Sequence, residues 1–310
     1  MIVRGYWYMV EILLKALGFI LIIIVGATLR AKGKCTREHG KFLSFVVLNV
    51  TLPCSILSSV KNMELTPIML AMLFIGLGAN LVTNAVGFLT SKGDTPVNRG
   101  ITMINMSGYN IGAFTMPFVQ SFFDPAYLMY MCMFDMGNSF MCLGGTFSIA
   151  GTVASSEHKP SLGMIVRRLF SSVPFCTYLV LLVLALFDLS VPQAILTVTE
   201  PAARANAFLA MFVIGLLLEL KLDLSQIKMI RKILLCRYAI SIAAVLLIYT
   251  LLPVAPIVKK MLAMAFFAPV SAAAPVFSAR LGSDSPVPAA VNSISIIVSI
   301  TVITSIVLFV

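Results

Sequence analysis

Long apolar runs, separated by short polar or basic segments, make up most of this chain. The hydrocarbon core of a bilayer is about 30 Å thick, so a helix needs roughly 20 residues to cross it. The runs predict ten transmembrane helices, near residues 10–30, 42–60, 67–90, 98–122, 126–152, 172–189, 200–220, 233–252, 257–280 and 287–309. Between the fifth and sixth spans, SLGMIVRRLFSS has the pattern of an amphipathic helix at the membrane interface.

Two of these spans are interrupted by residues that do not suit a helix facing lipid. Span four contains NMSGYNIGAFTMP (105–117), and span nine contains APVSAAAP (268–275). Proline removes a backbone donor and breaks the helix. The freed backbone groups are tolerated only where they are buried in protein or line a wet cavity. We therefore expect both interruptions at the centre of the bundle, beside each other.

The composition excludes a soluble protein. Of the 310 residues 60% are apolar and only 11% are charged, whereas soluble domains carry about 25% charged residues. Ten spans leave no room for a soluble enzyme domain. The six cysteines have no metal-binding spacing, so we expect no metal site, no disulfide framework and no cofactor.

The net charge of +10 gives the orientation of the chain rather than a nucleic-acid partner. Sixteen of the 22 basic residues fall in alternate loops, namely Arg30, Lys32, Lys34, Arg37, Lys41, Lys92, Arg99, Lys159, Arg167, Arg168, Lys221, Lys228, Arg231, Lys232, Arg237 and Arg280. By the positive-inside rule these loops are cytoplasmic and both termini lie outside. We expect an integral protein of the plasma (inner) membrane whose surroundings are the lipid bilayer.

Spans four and nine are equivalent places in a chain of two five-span halves. Because five is odd, the second half is inserted upside down, which is the inverted-repeat plan of many secondary transporters. The predicted fold is an all-α polytopic membrane protein with repeats at 1–152 and 153–310, and with helices four and nine broken and crossed.

The breaks also predict an anion site. A half-helix that starts after a break directs its free N–H groups and positive dipole end at the cavity, and Asn110 and Ser271 add directional hydrogen bonds. The competing interpretation is structural, since Gly108 and Gly112 have the spacing of a helix-packing contact.

The residues in these motifs resemble the auxin efflux carrier family, which includes malate- and malonate-type permeases. The resemblance covers most of the chain, through NVTLP in span two, YNIGAFTMPF in span four, MFDMGN in span five and APVSAAAPVFSARLG in span nine. It implies a bile acid–auxin transporter-like fold that carries organic anions. The substrate-binding residues that the resemblance and the broken motif single out are Asn110, Gly112, Pro117, Pro269, Ser271, Pro275 and Asn49, with Pro53 nearby. The chain lacks the long central loop of the plant carriers, which puts auxin itself in doubt and favours the compact microbial members.

An acidic residue inside a span is a functional hypothesis by default. Asp135 lies in span five, and Asn138 shares its helix face. The two residues are candidates for a coupling-ion site that takes a proton or sodium. A structural hydrogen bond from Asp135 to the break in span four is an equal alternative.

We expect a secondary active transporter of small organic anions (carboxylates), with substrate bound at the mid-membrane crossing. The alternative is a sodium-coupled symporter of the bile-acid type, which has a related crossed fold. An enzyme is not expected, because an intramembrane aspartyl protease needs two Asp residues and the spans contain only Asp135 in that setting. No ATP-binding loop is evident, and a homodimer is left open.

Overall fold

The computed structural model of the protein is a bundle of α-helices. It describes residues 2–59, 66–154, 162–219 and 226–309, with side chains from Met9 onward. Within these ranges there is no β-strand, and one isolated antiparallel bridge joins Tyr109 to Val270. The helices are α1 (Ile2–Ala31), α2 (Arg37–Ser59), α3 (Pro67–Thr90), α4 (Pro96–Met106), α5 (Met116–Phe122), α6 (Leu128–Phe140), α7 (Thr146–Val153), α8 (Leu162–Phe170), α9 (Val173–Leu186), α10 (Gln193–Leu217), α11 (Ile227–Leu251), α12 (Pro256–Phe266), α13 (Ala274–Arg280) and α14 (Val287–Phe309).

Six described helices are long and apolar enough to cross a membrane, namely α1 from Met9, α2, α3, α10, α11 and α14. A seventh candidate is the pair α8–α9, which is bent by 78°. The structure thus confirms a helical protein suited to a membrane. The predicted spans four, five and nine are each divided into shorter helices, so the total of ten remains a prediction.

Local sequence signals explain where several helices begin. Pro67, Pro96 and Pro256 each occupy the first position of a helix. There the missing N–H has no intrahelical partner to lose, and the fixed φ of proline already suits the helix. The predicted interfacial segment forms α8, whose basic residues Arg167 and Arg168 lie in its last turn.

Three π-helical turns interrupt the regular helices, at Val47–Thr51 inside α2, at Ile111–Thr115 before α5 and at Met141–Gly145 between α6 and α7. Such turns are rare and often mark functional positions. Two of them, Val47–Thr51 and Ile111–Thr115, lie in contact.

The helices pack as two groups. Helices α1, α2, α9 and α10 pack on one another and form what we call the first bundle. Helices α3 to α7 pack with α11 to α14 in the second bundle. Both interrupted segments belong to the second bundle, and the two bundles meet along α1 with α14, α5 with α10, and α6 with α9.

Reciprocal glycine contacts hold a helix pair together in each bundle. A Cβ at Gly76 would clash with the Phe134 carbonyl oxygen, and a Cβ at Gly137 would clash with that of Leu73. The same arrangement joins α1 to α10 through Gly26 and Gly215. Close backbone approach at small residues is the usual basis of helix packing in membranes, and here it fixes α3 against α6.

Candidate functional site

The two interrupted segments lie against each other as the sequence predicts. We call residues 107–110 the first break and 267–273 the second break. The Asn110 N–H donates to the Pro269 carbonyl at 2.8 Å, and the Ser271 N–H donates to the Gly108 carbonyl at 3.3 Å. Gly108 has a φ of +86°, a conformation that favours glycine. The backbones therefore run antiparallel at the crossing.

Tyr109 and Val270 are the central residues of the two breaks. In this pairing, the backbone N–H and C=O of each point away from the other break. For Tyr109, one side chain satisfies both groups. The Asn138 Oδ1 accepts from the Tyr109 N–H at 3.0 Å, and the Asn138 Nδ2 donates to the Tyr109 carbonyl at 2.8 Å. Asn138 thus replaces the two backbone hydrogen bonds that a continuous helix would have supplied.

The second break is held by an equivalent device on α14. The Asn292 Nδ2 donates to the Val270 carbonyl at 2.9 Å, and the Ser295 Oγ accepts from the Val270 N–H at 3.0 Å. Asn138 and Asn292 lie in predicted spans five and ten, which correspond in an inverted repeat. Each break is therefore satisfied by a side chain from a helix that follows it in the chain.

Asn80 on α3 completes the support of the first break. Its Oδ1 accepts from the Gly108 N–H at 2.7 Å, and its Nδ2 donates to the Asn138 Oδ1 at 3.0 Å. The Ser107 hydroxyl lies 3.1 Å from the Asn80 Oδ1 and 2.9 Å from the Thr146 hydroxyl. The network is buried, where an unsatisfied polar group would be costly.

Arg237 on α11 ties the two breaks together. Its guanidinium is completely buried and donates to the carbonyls of Met106 at 2.6 Å, Gly108 at 2.9 Å and Ala268 at 3.3 Å. It also lies over the Tyr109 ring, 4.3 Å from the centroid. Helices α4 and α12 end at this point, and the C-terminal end of a helix carries partial negative charge. The cation is thus matched to two converging helix ends.

The prediction that Arg237 lies in an inner loop is wrong. The structure places Arg237 well inside α11 with no exposed surface. The physical reason is that a guanidinium can be buried when carbonyls and an aromatic ring surround it. The described residues Lys228, Arg231 and Lys232 lie in the first turns of α11; Lys159 and Lys221 fall outside the described residues.

Asp135 is buried beside the first break but is not bonded to its backbone. Its Oδ1 accepts from the Asn138 Nδ2 at 2.7 Å, and its Oδ2 accepts from the Tyr178 hydroxyl at 2.8 Å. The predicted pair Asp135 and Asn138 is therefore in contact, and Asn138 carries the connection to Tyr109. Tyr178 comes from α9, so this carboxylate joins the two bundles.

Among the predicted substrate-binding residues, three meet at the crossing, namely Asn110, Pro269 and Ser271. The Asn110 side chain is half-buried and makes no hydrogen bond within the described part of the chain. Its amide is therefore available, while its backbone is held by Pro269. A Cβ on Gly112 would lie 3.5 Å from the Asp135 Oδ2, which places Gly112 beside the candidate ion site.

The remaining predicted residues lie around the crossing rather than at it. Pro117 is buried in the first turn of α5. Pro275 lies in the first turn of α13 and lines an open cleft of about 360 Å³. Asn49 lies in the π turn of α2 and donates to its own helix at the Phe45 carbonyl, 2.8 Å away. The sequence reasoning missed Asn80, Tyr178 and Asn292; their only signal was a polar side chain within an apolar run.

Polar side chains join the two bundles at one end of their contact. Four polar side chains, which we call the polar cluster, meet there: Thr51, Ser55, Gln120 and Asn206. Thr51 donates to the Asn206 Oδ1 at 3.0 Å within the first bundle, and Gln120 of α5 donates to Ser55 across the contact. The Phe19 and Phe118 rings pack nearby at 5.0 Å.

The cleft lined by Pro275 marks the other end of the contact. Arg37 and Glu219, which form an ion pair at 3.0 Å, line it from the first bundle. Ser278 and Asp284 line it from the second. The loops at this end are those in which the basic residues gather, and the polar cluster lies toward the opposite end of α2.

Comparison with known proteins does not identify the chain. No protein-family model matches it, and no curated protein is significantly similar to it.

Proposed function

We propose that the protein is a secondary active transporter of small organic anions, with ten spans in two inverted halves. The observation that carries this proposal is the pair of breaks whose central backbone groups are taken up by polar side chains of neighbouring helices or by the facing break. Discontinuous helices that meet inside a bundle are the usual substrate site of secondary transporters. The resemblance to auxin efflux carriers and malate- or malonate-type permeases agrees with it.

The equivalent hydrogen bonds from Asn138 and Asn292 to the two breaks support the inverted repeat. Asn138 and Asn292 serve corresponding residues in opposite halves of the chain, and the breaks run antiparallel, as inversion requires. A single packing kink would not need such matched support. The free amide of Asn110 is then the side chain that we assign to the substrate carboxylate.

The arrangement of the bundles supports alternating access. The polar cluster bridges the bundles at one end of their contact, and the open cleft lies at the basic end, which the positive-inside rule assigns to the cytoplasm. A relative movement of the bundles that exchanges the open end would expose the crossing to the two sides in turn. We therefore assign the structure to a state open to the cytoplasm, in a plasma membrane protein with both termini outside.

Ligand binding to purified protein tests this function directly. A panel of dicarboxylates and aromatic carboxylates, each with and without sodium, is screened by thermal unfolding. A ligand at a hundredfold excess over its Kd stabilises the folded state by about 2.7 kcal/mol. Any carboxylate that stabilises the protein should also show counterflow in liposomes, where unlabelled anion inside drives uptake of labelled anion. If no carboxylate stabilises the protein or exchanges, the proposed function is wrong.

A further inference from the structure

One hydroxyl, that of Tyr178, lies between two acceptors of the second bundle. It is 2.8 Å from the Asp135 Oδ2 and 3.7 Å from the Met116 Sδ. Tyr178 itself is completely buried and belongs to α9 of the first bundle. Because a hydroxyl can both donate and accept, the Tyr178 hydroxyl can donate to either atom, and it can also accept from Asp135 if that carboxyl carries a proton.

The surroundings of the Asp135 carboxyl provide hydrogen-bond donors and no countercharge. Asn138 and Tyr178 donate to its two oxygens, which is the arrangement that an ionised carboxylate accepts. In the described part of the chain no Lys, Arg or His bonds to it.

The other ionisable groups around Asp135 are few. Its own span contributes the thiols of Cys132 and Cys142. On α11, Arg237 is bound to the carbonyls of both breaks. On α8, Arg168 donates to the Leu143 carbonyl. From α12, the side chain that packs against α6 is the apolar ring of Phe266.

We propose that Asp135 is a proton-binding site and that the Tyr178 hydroxyl reverses when the proton binds. A proton from water joins the Oδ2 of the carboxylate. The new O–H donates to the Tyr178 oxygen, and the Tyr178 hydroxyl turns its hydrogen to the Met116 Sδ. Release of the proton to water restores the first arrangement, with no other bond made or broken.

The same contacts disfavour sodium at this position. A hard cation needs a shell of oxygen ligands, and both groups that bond to the carboxyl present hydrogen atoms to it. The nearby Asn138 Oδ1 is already engaged by the Asn80 Nδ2 and the Tyr109 N–H. The O–H of a protonated Asp135 needs only one hydrogen-bond acceptor, and the Tyr178 oxygen supplies it.

This inference rests on the proposed function and names its coupling ion. Through Asn138 the carboxyl is linked to the backbone of the first break, and through Tyr178 it is linked to the first bundle. A change in its charge therefore acts on the substrate site and on the contact between the bundles together. In a proton-coupled transporter those are the two places that must sense the proton.

Infrared difference spectroscopy of the purified full-length protein, titrated with acid, tests the proton site without any transport assay. The carboxylic C=O stretch of a buried protonated carboxyl should appear on acidification, together with a change in the tyrosine ring modes. Asp135→Asn should remove both signals. The titration is repeated in sodium and in potassium salts at equal ionic strength, and its midpoint should be the same.

Two variants that touch the same hydroxyl should move the midpoint in opposite directions. Tyr178→Phe removes the donor to the ionised form and the acceptor of the protonated form. Because the hydrogen bond to the charged group is the stronger of the two, the midpoint should rise, by roughly one pH unit. Met116→Leu removes the acceptor used by the protonated form and should lower it by a few tenths of a unit, roughly. Tyr249→Phe is the control, because the buried Tyr249 hydroxyl has no hydrogen-bond partner among the described residues; it should leave the titration unchanged.

The inference is overturned if Asp135→Asn retains the carboxyl signal, if sodium shifts the midpoint, or if the tyrosine modes do not change. Should Tyr178→Phe not fold, Met116→Leu alone decides whether the hydroxyl reverses. A protein that shows the titration and transports no carboxylate would retain the proton site and lose the proposed function, so the two failures are distinguishable.

Discussion

Single amide side chains have opposite tasks at the crossing. The Asn138 amide is hydrogen-bonded to the backbone of Tyr109, to Asn80 and to Asp135. Asn110, seven residues before Pro117, leaves its amide without a partner in the described structure. The first residue therefore belongs to the scaffold and the second is free to bind a ligand.

Asn110→Ala should fold normally and bind substrate less well. A hydrogen bond to a charged group is worth about 1.5–3 kcal/mol, which corresponds to a loss of affinity of roughly 10- to 150-fold. Asn110→Asp should be weaker still, because it places a negative charge against an anion. The measurement is the Kd of the carboxylate found in the thermal screen.

Asn138→Ala is the matched comparison and should behave in the opposite way. It leaves the Tyr109 N–H buried without a partner, at about 1–3 kcal/mol, while the Tyr109 carbonyl keeps the Ile111 N–H. The melting temperature should therefore fall even without ligand. Equal affinity of Asn110→Ala and the wild type would remove Asn110 from the site, whereas an unfolded Asn110→Ala would assign it to the scaffold.

At the scale of the helices, the position of the breaks followed from the sequence but their support did not. Pro117, Pro269 and Pro275 interrupt the helix at their own positions in the chain, so the sequence alone indicates where a helix ends. Asn80 and Asn292 bond to backbone groups more than 20 residues away in the sequence. The residues next to such an Asn give no indication of its partner. Arg237 was misplaced for the same reason, since the carbonyls that accept from it lie on other spans.

The close contact of α3 with α6 makes a prediction about their glycines. Gly137→Ala would place a Cβ against the Leu73 carbonyl, which is backbone and cannot rotate away, so the helices must separate. Overpacking costs typically about 1–3 kcal/mol, and separation also stretches the bond from Asn80 to Asn138. The melting temperature of Gly137→Ala should therefore fall.

Gly78→Ala provides the control for that prediction. It lies on the same helix as Gly76, and nothing approaches its Cβ position within 4 Å. Alanine is the better helix former by about 1 kcal/mol, so this variant should be as stable as the wild type or slightly more stable. Equal stability of the two variants would mean that α3 and α6 do not depend on their close approach.

At the scale of the whole molecule, the proposed transport requires the two bundles to move relative to each other. Cysteines at Ser55 and Gln120, introduced into a chain without its six native cysteines, join the bundles when a short bifunctional thiol reagent is added. Counterflow should stop and should return when the link is cleaved. A link between Thr51 and Asn206 stays within the first bundle and should leave counterflow intact. Transport through the Ser55–Gln120 link would exclude movement at this contact.

The orientation of the chain can be tested on the same scale. If the basic loops are cytoplasmic, single cysteines near residue 34 and near residue 309 should react with an impermeant thiol reagent from opposite sides of an oriented vesicle. The chain between them then crosses the membrane an odd number of times, as nine further spans require. Reaction from one side only would contradict the inverted repeat.

The three carbonyls that hold Arg237 also bear on the order in which the protein is made. An arginine at the centre of a membrane helix costs about 2.5–3.5 kcal/mol on the scale measured at the translocon. When α11 leaves the ribosome, Met106 and Gly108 have already emerged, and Ala268, which follows α11 in the chain, has not. Two of the three acceptors can thus receive the guanidinium as α11 enters the membrane, before the second break has entered it. The first half of the chain then acts as the template on which the second half is assembled.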